Sequence, residues 1–138
     1  MLREQTPFEI QRERVLRRDN FRCWGTIFFP DHECTDLYGM PCRPDAMQTM
    51  HVLPKHGLGN WIDGLLLNPR MTDHPCYGVD KDAVLYDPRC ALCGCPGIHR
   101  PWDEEGKDHR PRFDQLPPFC HAWARDYGIL ERLRSHYN

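Results

Sequence analysis

The sequence contains no long apolar stretch and no export signal. A helix that spans a bilayer needs roughly 18 to 20 consecutive apolar residues, whereas the apolar runs at residues 27–29 and 65–67 are far shorter. We therefore expect no membrane helix. The first residues also lack the apolar segment and the small-residue cleavage site of a secretory signal. We expect the protein in the cytoplasm, of a bacterium or of a phage-infected host cell.

The chain also lacks a large excess of positive or of negative charge. The chain has 18 Lys and Arg against 20 Asp and Glu, a formal net charge of -2 at pH 7. Proteins that bind nucleic acid through bulk charge carry a large excess of cations, and that class is excluded. Any contact with nucleic acid must be local, and its first candidate is the Arg-rich segment of residues 1–22. The alternative for this segment is a solvated helix face.

Repeats and low-complexity segments are also absent, so we expect one domain, residues 1–138. The 13 Pro and 10 Gly interrupt regular structure and predict a loop-rich protein with a thin core. A thin core gains stability from a covalent or metal cross-link. The eight Cys and eight His can supply one. Because thiols stay reduced in the cytoplasm, we expect structural zinc rather than disulfides.

The cysteines predict one tetrahedral zinc site with two ligands from each of two distant segments. Cys90 and Cys93 form a C-x2-C pair, and Cys93 with Cys95 forms a tighter C-x-C pair. The other two ligands are expected from the earlier segment that begins at Cys23. The first predicted ligand set is Cys23, Cys42, Cys93 and Cys95, with Cys34 and Cys90 as substitutes.

Two helical segments flank a Cys- and His-rich core at residues 21–100. A capping box that begins at Thr6 predicts a helix over residues 7–18. Apolar residues recur at helical spacing over residues 117–137, and Gly128 divides this pattern into two helices.

Several Cys and His residues have simpler interpretations. Free Cys is often a small buried apolar residue, and a lone His is more often a surface or hydrogen-bonded residue than a catalyst. We expect the first role for Cys76 and Cys120, and the second for His32, His74, His109, His121 and His136.

Three segments resemble the HNH endonucleases in content and order. Residues 14–23 are similar to the entry of that family, where a basic helix runs into a strand bearing a Cys. Residues 47–55, MQTMHVLPK, are similar to the strand that holds the family's first histidine. Residues 85–99, LYDPRCALCGCPGIH, are similar to its closing half, where the family has an Asn, a Leu-Cys pair and its last histidine. The C-terminal segment also resembles the C-terminal helices of compact phage-type members.

The resemblance implies a small, loop-rich α+β fold with a ββα-metal (His-Me finger) core, a structural zinc knuckle and flanking helices. It implies cleavage of DNA phosphodiester bonds with catalytic Mg2+ or Mn2+. His51 would be the general base that removes a proton from water, and His99 would hold the catalytic cation. Imidazole titrates near neutral pH and a divalent cation stabilises charge on the departing oxygen, so these roles suit the reaction. Lys55, in an expected turn at residues 54–57, would lie near the phosphates.

Three features of the site depart from the family pattern, at Met50, at Cys90 and at residues 94–97, which rearrange the Cys-His spacing before His99. Met50 stands where the family has an Asp or His metal ligand, although a thioether is a poor ligand for Mg2+. Cys90 stands where the family has an Asn that fixes the loop and the general base, so we include Cys90 among the candidate catalytic residues. The candidates for a replacement metal ligand are Asp87, His56 and Asp45. In a register shifted by one, His51 becomes the ligand and His56 the base.

Two functions from different classes follow. The first is a metal-dependent DNA endonuclease whose partner is DNA, with a phage packaging or restriction assembly as a further candidate partner. The second is a non-catalytic zinc-knuckle module that binds nucleic acid or a protein, the ligands at Met50 and Cys90 having been lost. The sequence leaves the oligomeric state open.

Overall fold

The computed structural model describes residues 3–35, 39–40 and 42–138 of the chain. This part forms a mostly helical α+β fold with one two-stranded antiparallel sheet, which confirms the predicted class. In chain order the elements are α1 (Pro7–Arg18), α2 (Gly25–Phe28), β1 (Gln48–His51), α3 (Lys55–Leu65), α4 (Lys81–Leu85), β2 (Ala91–Gly94), α5 (Pro96–Glu104), α6 (Pro118–Asp126) and α7 (Leu130–Tyr137). Short 3-10 turns connect several of them. None of the described helices is long and apolar enough to cross a membrane.

Helix α1 has the predicted bounds because its capping box forms. The Glu9 N–H donates to the Thr6 hydroxyl oxygen at 3.1 Å, and Pro7 occupies the first helical position. Gln11, Val15 and Leu16 are the buried residues of this helix. Helix α1 therefore packs this face against the sheet, and Arg12 and Arg18 donate from it to the carbonyls of Met47 and Ala91 at 3.2 and 2.6 Å.

The segment after α1 was expected to be extended, and this expectation is wrong. Asn20 and Phe21 both have positive φ, 54° and 56°, and this left-handed pair turns the chain sharply. The Trp24 N–H then donates to the Cys93 carbonyl at 2.9 Å, and α2 begins at the next residue. The turn therefore places Cys23 at the end of β2 instead of in a strand.

The sheet brings together two of the segments that resemble the HNH endonucleases, residues 47–55 and 85–99. Strands β1 and β2 are antiparallel, with His51 opposite Ala91 and Met50 opposite Leu92. Because side chains alternate along a strand, Met50 points into the core, where its exposed fraction is 0%, while His51 points to the other side. Helix α5 follows β2 after one residue. The expected turn at residues 54–57 is instead the beginning of α3.

The C-terminal helices close the core as predicted. Gly128, with φ of 67°, separates α6 from α7. The Trp123 indole N–H donates to the Val84 carbonyl at 3.0 Å, and the Tyr137 hydroxyl donates to the Val52 carbonyl at 2.6 Å. These buried hydrogen bonds connect α6 to α4 and α7 to the end of β1. Cys76 and Cys120 are fully buried, as expected.

Gly94 has no room for a side chain. A Cβ at this position would lie 2.4 Å from Met50 Sδ and 2.8 Å from its Cγ, and the buried Met50 has no free space to enter. We expect Gly94→Ala to lower the free energy of unfolding by about 1–3 kcal/mol, the range for overpacked cores. Urea denaturation measures this change.

Two further variants control this experiment. Gly64→Ala on α3 meets nothing within 4 Å, so it should be neutral or slightly stabilising. Met50→Val in the Gly94→Ala background should recover part of the lost stability. A Gly94→Ala protein as stable as the wild type would contradict this packing.

Candidate metal centre and adjoining cleft

Cys23, His32, Cys34 and Cys95 form a group whose ligand atoms all lie within 4.8 Å of one another. We call this group the metal centre. The Nε2 atom of His32 lies 3.4 Å from the Cys95 sulfur and 3.8 Å from the Cys23 sulfur. Three thiols and one imidazole are a ligand set that zinc prefers. These four residues therefore lie close enough to bind a metal such as zinc.

Local backbone structure positions two of the sulfurs. The Cys23 sulfur accepts the N–H groups of Gly25 and Cys95, both at 3.3 Å. Cys95 is the N-cap residue of α5, so its sulfur lies at the positive end of a helix, where negative charge is stabilised. The metal centre thus lies at the junction between β2 and α5.

The loop that carries the other two ligands is held against the same helix. The Gly97 N–H in α5 donates to the Thr35 carbonyl at 3.0 Å. A Cβ on Gly97 would lie 2.7 Å from that oxygen, so a larger residue would push the loop away. This contact keeps Cys34 beside Cys95.

The three thiols differ in acidity. The hydrogen bond from Cys23, together with backbone N–H donors and His32, lowers the pKa of Cys95 to about 4. The hydrogen bond to Cys95 and burial raise the pKa of Cys23, and burial raises the pKa of Cys34. One thiolate therefore forms readily, and its negative charge keeps the other two thiols protonated. A bound cation would relieve this repulsion, because metal-bound cysteines are thiolates.

The metal centre agrees in part with the predicted ligand sets. Cys23 and Cys95 belong to the first set and Cys34 was a substitute. Among the described residues the group does not include Cys42, Cys90 or Cys93.

The structure gives physical reasons for these corrections. Two cysteines separated by two residues share a metal across a tight turn, but Cys90 precedes β2 and the extended strand carries Cys93 away from it. The Cys93 sulfur is buried in the core, and the Cys93 N–H donates to the Asp19 carboxylate at 2.9 Å. The Cys42 N–H donates to the Cys34 carbonyl at 3.2 Å, so Cys42 lies beside the group without entering it.

His32 was expected to be an ordinary surface or hydrogen-bonded residue, and the structure places its ring beside three cysteines, close enough to share a metal with them. One signal for its role was available in the spacing His32-x-Cys34, because alternate side chains of an extended segment face the same side. The spacing becomes informative only when a second pair of ligands lies nearby.

A cleft of about 430 Å³ lies next to the metal centre, and both His51 and His99 line it. His51 ends β1, and His99 lies on α5 one turn after Cys95. The two histidines therefore face one cavity although 47 residues of sequence separate them. The other polar residues of the cleft include Thr49, Lys55, His56, Asp103, Arg110 and His136.

Both ring nitrogens of His99 have oxygen partners. Its Nδ1 lies 2.7 Å from Gln48 Oε1, and its Nε2 lies 2.9 Å from Asp103 Oδ2. Asp103 follows His99 by four residues, so both side chains lie on the same face of α5. This face presents an imidazole and a carboxylate to the cleft.

His51 is held in a drier environment. Its Nε2 lies 2.8 Å from Gln11 Oε1. Burial, and the nearby positive charges of Lys55 and His99, lower the pKa of His51 to about 3. Its imidazole is therefore neutral at neutral pH and able to accept a proton.

Two cations border the cleft. The Lys55 ammonium lies over the rings of Phe8 and Tyr86, 4.8 and 5.1 Å from their centroids. The Arg110 guanidinium donates to the carbonyls of Trp102 and His136 at 2.9 and 3.0 Å. Rings and carbonyls fix these cations without neutralising them, so the cleft can attract an anion.

Among the described residues, two buried atoms of cleft-lining side chains lack a hydrogen-bond partner, the Thr49 hydroxyl oxygen and the Trp102 indole nitrogen. An unsatisfied buried hydroxyl costs about 1–3 kcal/mol.

The remaining predicted site residues lie elsewhere. Met50 cannot be a metal ligand because strand alternation places it in the core. The Asp87 carboxylate accepts hydrogen bonds from Arg89 at 2.9 Å, and Asp45 pairs with Arg43 at 3.4 Å. Neither Asp87 nor Asp45 therefore supplies the expected oxygen ligand in the cleft.

Cys90 also lies outside the cleft lining. Its thiol contacts the carbonyls of Asp87 and Leu85 at 3.1 and 3.3 Å, and burial raises its pKa well above that of a free cysteine. A protonated thiol in this position is not a nucleophile or a metal ligand. Its contacts hold the chain between α4 and β2.

Comparison of the chain with protein-family models, with curated proteins and with solved structures finds no match.

The metal centre predicts a distinct pattern of zinc retention. Protein purified without chelator should contain about one zinc per chain, and a strong chelator should unfold it, because structural zinc contributes folding free energy. Cys95→Ser should lose the zinc, whereas Cys93→Ser, the same change two residues earlier, should keep it. Elemental analysis and thermal unfolding measure both effects.

Histidine provides a second matched pair. His32→Ala should lose zinc and His109→Ala should retain it, because only His32 belongs to the metal centre. Zinc retained by Cys95→Ser and His32→Ala would show that the ligands lie elsewhere.

The half-buried histidines predict that acid destabilises the fold. Burial lowers the pKa of His136 to about 4, whereas an unfolded histidine titrates near 6.5. Between these values the unfolded chain binds a proton that the folded chain does not, so the free energy of unfolding falls as the pH falls from about 6.5 to 4. His136→Gln should reduce this slope by up to one proton, about 1.4 kcal/mol per pH unit. Urea denaturation across this range tests it, and an unchanged slope would contradict the shift.

Proposed function

We propose that the protein is a metal-dependent endonuclease that hydrolyses phosphodiester bonds in DNA. The observation that carries this proposal is that His51 from β1 and His99 from α5 line one cleft. A histidine on the first strand and another on the helix after the second strand is the order that the resemblance to HNH endonucleases implies.

His51 acts as the general base in this proposal. It is neutral at neutral pH because burial lowers its pKa to about 3. A negatively charged phosphate that enters the cleft raises this pKa and makes the imidazole more basic. His51 then removes a proton from the water that attacks phosphorus.

His99 and Asp103 are the residues that would hold the catalytic Mg2+ or Mn2+. Their Nε2 and Oδ2 atoms lie 2.9 Å apart, which is close to the ~3 Å between adjacent ligands of an octahedral ion with bonds of about 2.1 Å. Asp103 supplies the oxygen that is missing at Met50. Gln48 Oε1 accepts from His99 Nδ1, which leaves Nε2 available as a ligand. When bound, the cation stabilises charge on the departing oxygen.

Lys55 and Arg110 bind the phosphate backbone of the substrate. Both cations line the cleft, and both are oriented by rings or carbonyls instead of by carboxylates. Contacts of this kind position DNA without reading its sequence. The proposed activity is therefore cleavage with little sequence preference.

The metal centre has a structural role in this proposal, as a zinc site of Cys23, His32, Cys34 and Cys95. Its ligands lie outside the cleft lining, and four protein ligands leave no open position for substrate. The zinc holds the beginning of α5, and so it keeps His99 in place.

A second function is favoured by one observation. Met50 is fully buried, so β1 offers no metal ligand beside His51. A protein that retains only the metal centre would be a zinc-knuckle module that binds nucleic acid or a protein partner without cleaving it.

A nicking assay separates the two functions. Wild-type protein, loaded with zinc, is incubated with supercoiled plasmid and Mg2+ or Mn2+. We expect nicking that His51→Ala reduces at least tenfold, as expected for loss of a general base, and that Asp103→Asn also reduces. His109→Ala, an exposed histidine outside the cleft, should nick as the wild type does.

Two results would count against the endonuclease. If the wild type does not nick with either cation, the binding module is the better function. If His51→Ala nicks as fast as the wild type, the activity does not depend on the proposed base.

A further inference from the structure

We infer that Gln11 is a positioning residue that fixes the tautomer of His51, so that Nδ1 is the nitrogen that accepts the proton. The contact concerns the structure alone, whereas its effect on catalysis rests on the proposed function. Gln11 lies on α1, far from His51 in sequence, and outside all three segments that resemble the HNH endonucleases.

Gln11 is a buried polar residue in the middle of the core. Its exposed fraction is 1%. Its Nε2 donates to the carbonyls of Leu85 and Asp87 at 3.2 and 3.1 Å, and its Oε1 lies 2.8 Å from His51 Nε2. Every polar atom of this side chain is therefore engaged.

These contacts determine which way the amide faces. An amide nitrogen carries two hydrogens and an amide oxygen carries none. If the amide were reversed, its oxygen would face the carbonyl oxygens of Leu85 and Asp87, and no hydrogen would lie between them. The oxygen of Gln11 must therefore face His51.

The orientation of the amide determines the tautomer of the imidazole. The Gln11 oxygen can only accept, so the hydrogen in the bond to His51 belongs to Nε2 of the ring. A neutral imidazole carries one hydrogen, and Nδ1 consequently holds the lone pair. His51 lines the cleft, and Nδ1 is the one basic atom of its ring.

The carbonyls that bind Gln11 are themselves fixed. Leu85 ends α4, and the Cys90 thiol contacts the same two carbonyls, at 3.3 and 3.1 Å. Two donors from different parts of the chain thus hold one short loop. Rotation of the Gln11 amide would break its bonds to that loop, so the amide has one stable position.

The tautomer can be measured directly in the wild-type protein. Long-range 1H–15N correlation spectra distinguish an Nε2–H ring from an Nδ1–H ring, and the signals of His51 are assigned by their absence from His51→Ala. We expect a single Nε2–H tautomer at neutral pH. An Nδ1–H ring, or a mixture of the two, would overturn the inference whether or not any variant folds.

Two substitutions test the part played by Gln11. Gln11→Met fills a similar volume without an acceptor, and should give a mixture of tautomers. In Gln11→Glu the second carboxyl oxygen faces the carbonyls of Leu85 and Asp87, so the buried Glu should be protonated there, and its other oxygen should retain the Nε2–H form. Gln5→Met, at an exposed position, is the control for adding a methionine to the N-terminal segment. Zinc content and urea denaturation establish that each variant is folded.

Catalysis supplies the second measurement. We expect Gln11→Met to lower kcat by about tenfold or more with little change in KM, within the range for residues that orient a functional histidine. Gln11→Glu should lose less. Unchanged kcat in a Gln11→Met protein with mixed tautomers would contradict a catalytic role for this contact.

The two proposals fail differently. If the wild type has the Nε2–H tautomer but nicks no plasmid, the endonuclease is wrong and the contact between Gln11 and His51 stands. If the wild type nicks plasmid and His51 has the opposite tautomer, the endonuclease stands and the inference about Gln11 is wrong.

Discussion

The position of Cys95 is the constraint on which the candidate site depends. This residue ends the turn from β2, caps α5 and contributes a sulfur to the metal centre. A bound metal would therefore hold the strand, the helix and the loop of His32 and Cys34 at one point. Since His99 lies one turn further along α5, a helix fixed at Cys95 has little freedom to move His99 away from the cleft. In a small protein a metal cross-link of this kind can add to the rigidity that core packing supplies.

The two sides of the cleft are held by different kinds of interaction. His99 depends on the metal centre through α5. His51 depends on buried hydrogen bonds, because Gln11 bonds to its ring and Tyr137 bonds to the carbonyl of Val52, the next residue. A metal bound at the metal centre would support the first side directly. The low pKa of His51 and the buried hydroxyl of Thr49 both follow from the dryness of this second side.

The sequence predicted the elements whose signals are local. The capping box at Thr6 and the break at Gly128 are sufficient to place α1 and the two C-terminal helices, because each depends on a few adjacent residues. The strand around His51 was also predicted, through the likeness of its motif. The turn at Asn20 and Phe21 was missed, because left-handed backbone at two non-glycine residues depends on what the chain must reach afterwards.

The parts of the site that were missed depend on distant contacts. The ligand role of His32 requires Cys23 and Cys95 to be nearby, and no spacing within the loop specifies that. Cys93 fits a C-x2-C pattern, yet the extended strand places it in the core. In the sequence Gln11 is an ordinary polar residue of an amphipathic helix, and only the fold brings it to His51. Sequence patterns identify which residue types can act, and tertiary structure selects among them.

The bond between Tyr137 and Val52 has a consequence for the protein during its synthesis. Its two partners are 85 positions apart, and contacts of such long range form only when both segments are available. On the ribosome, the backbone beside His51 stays unsupported until residue 137 has emerged from the exit tunnel. The wall of the cleft beside His51 is therefore completed only when α7 has packed against the end of β1.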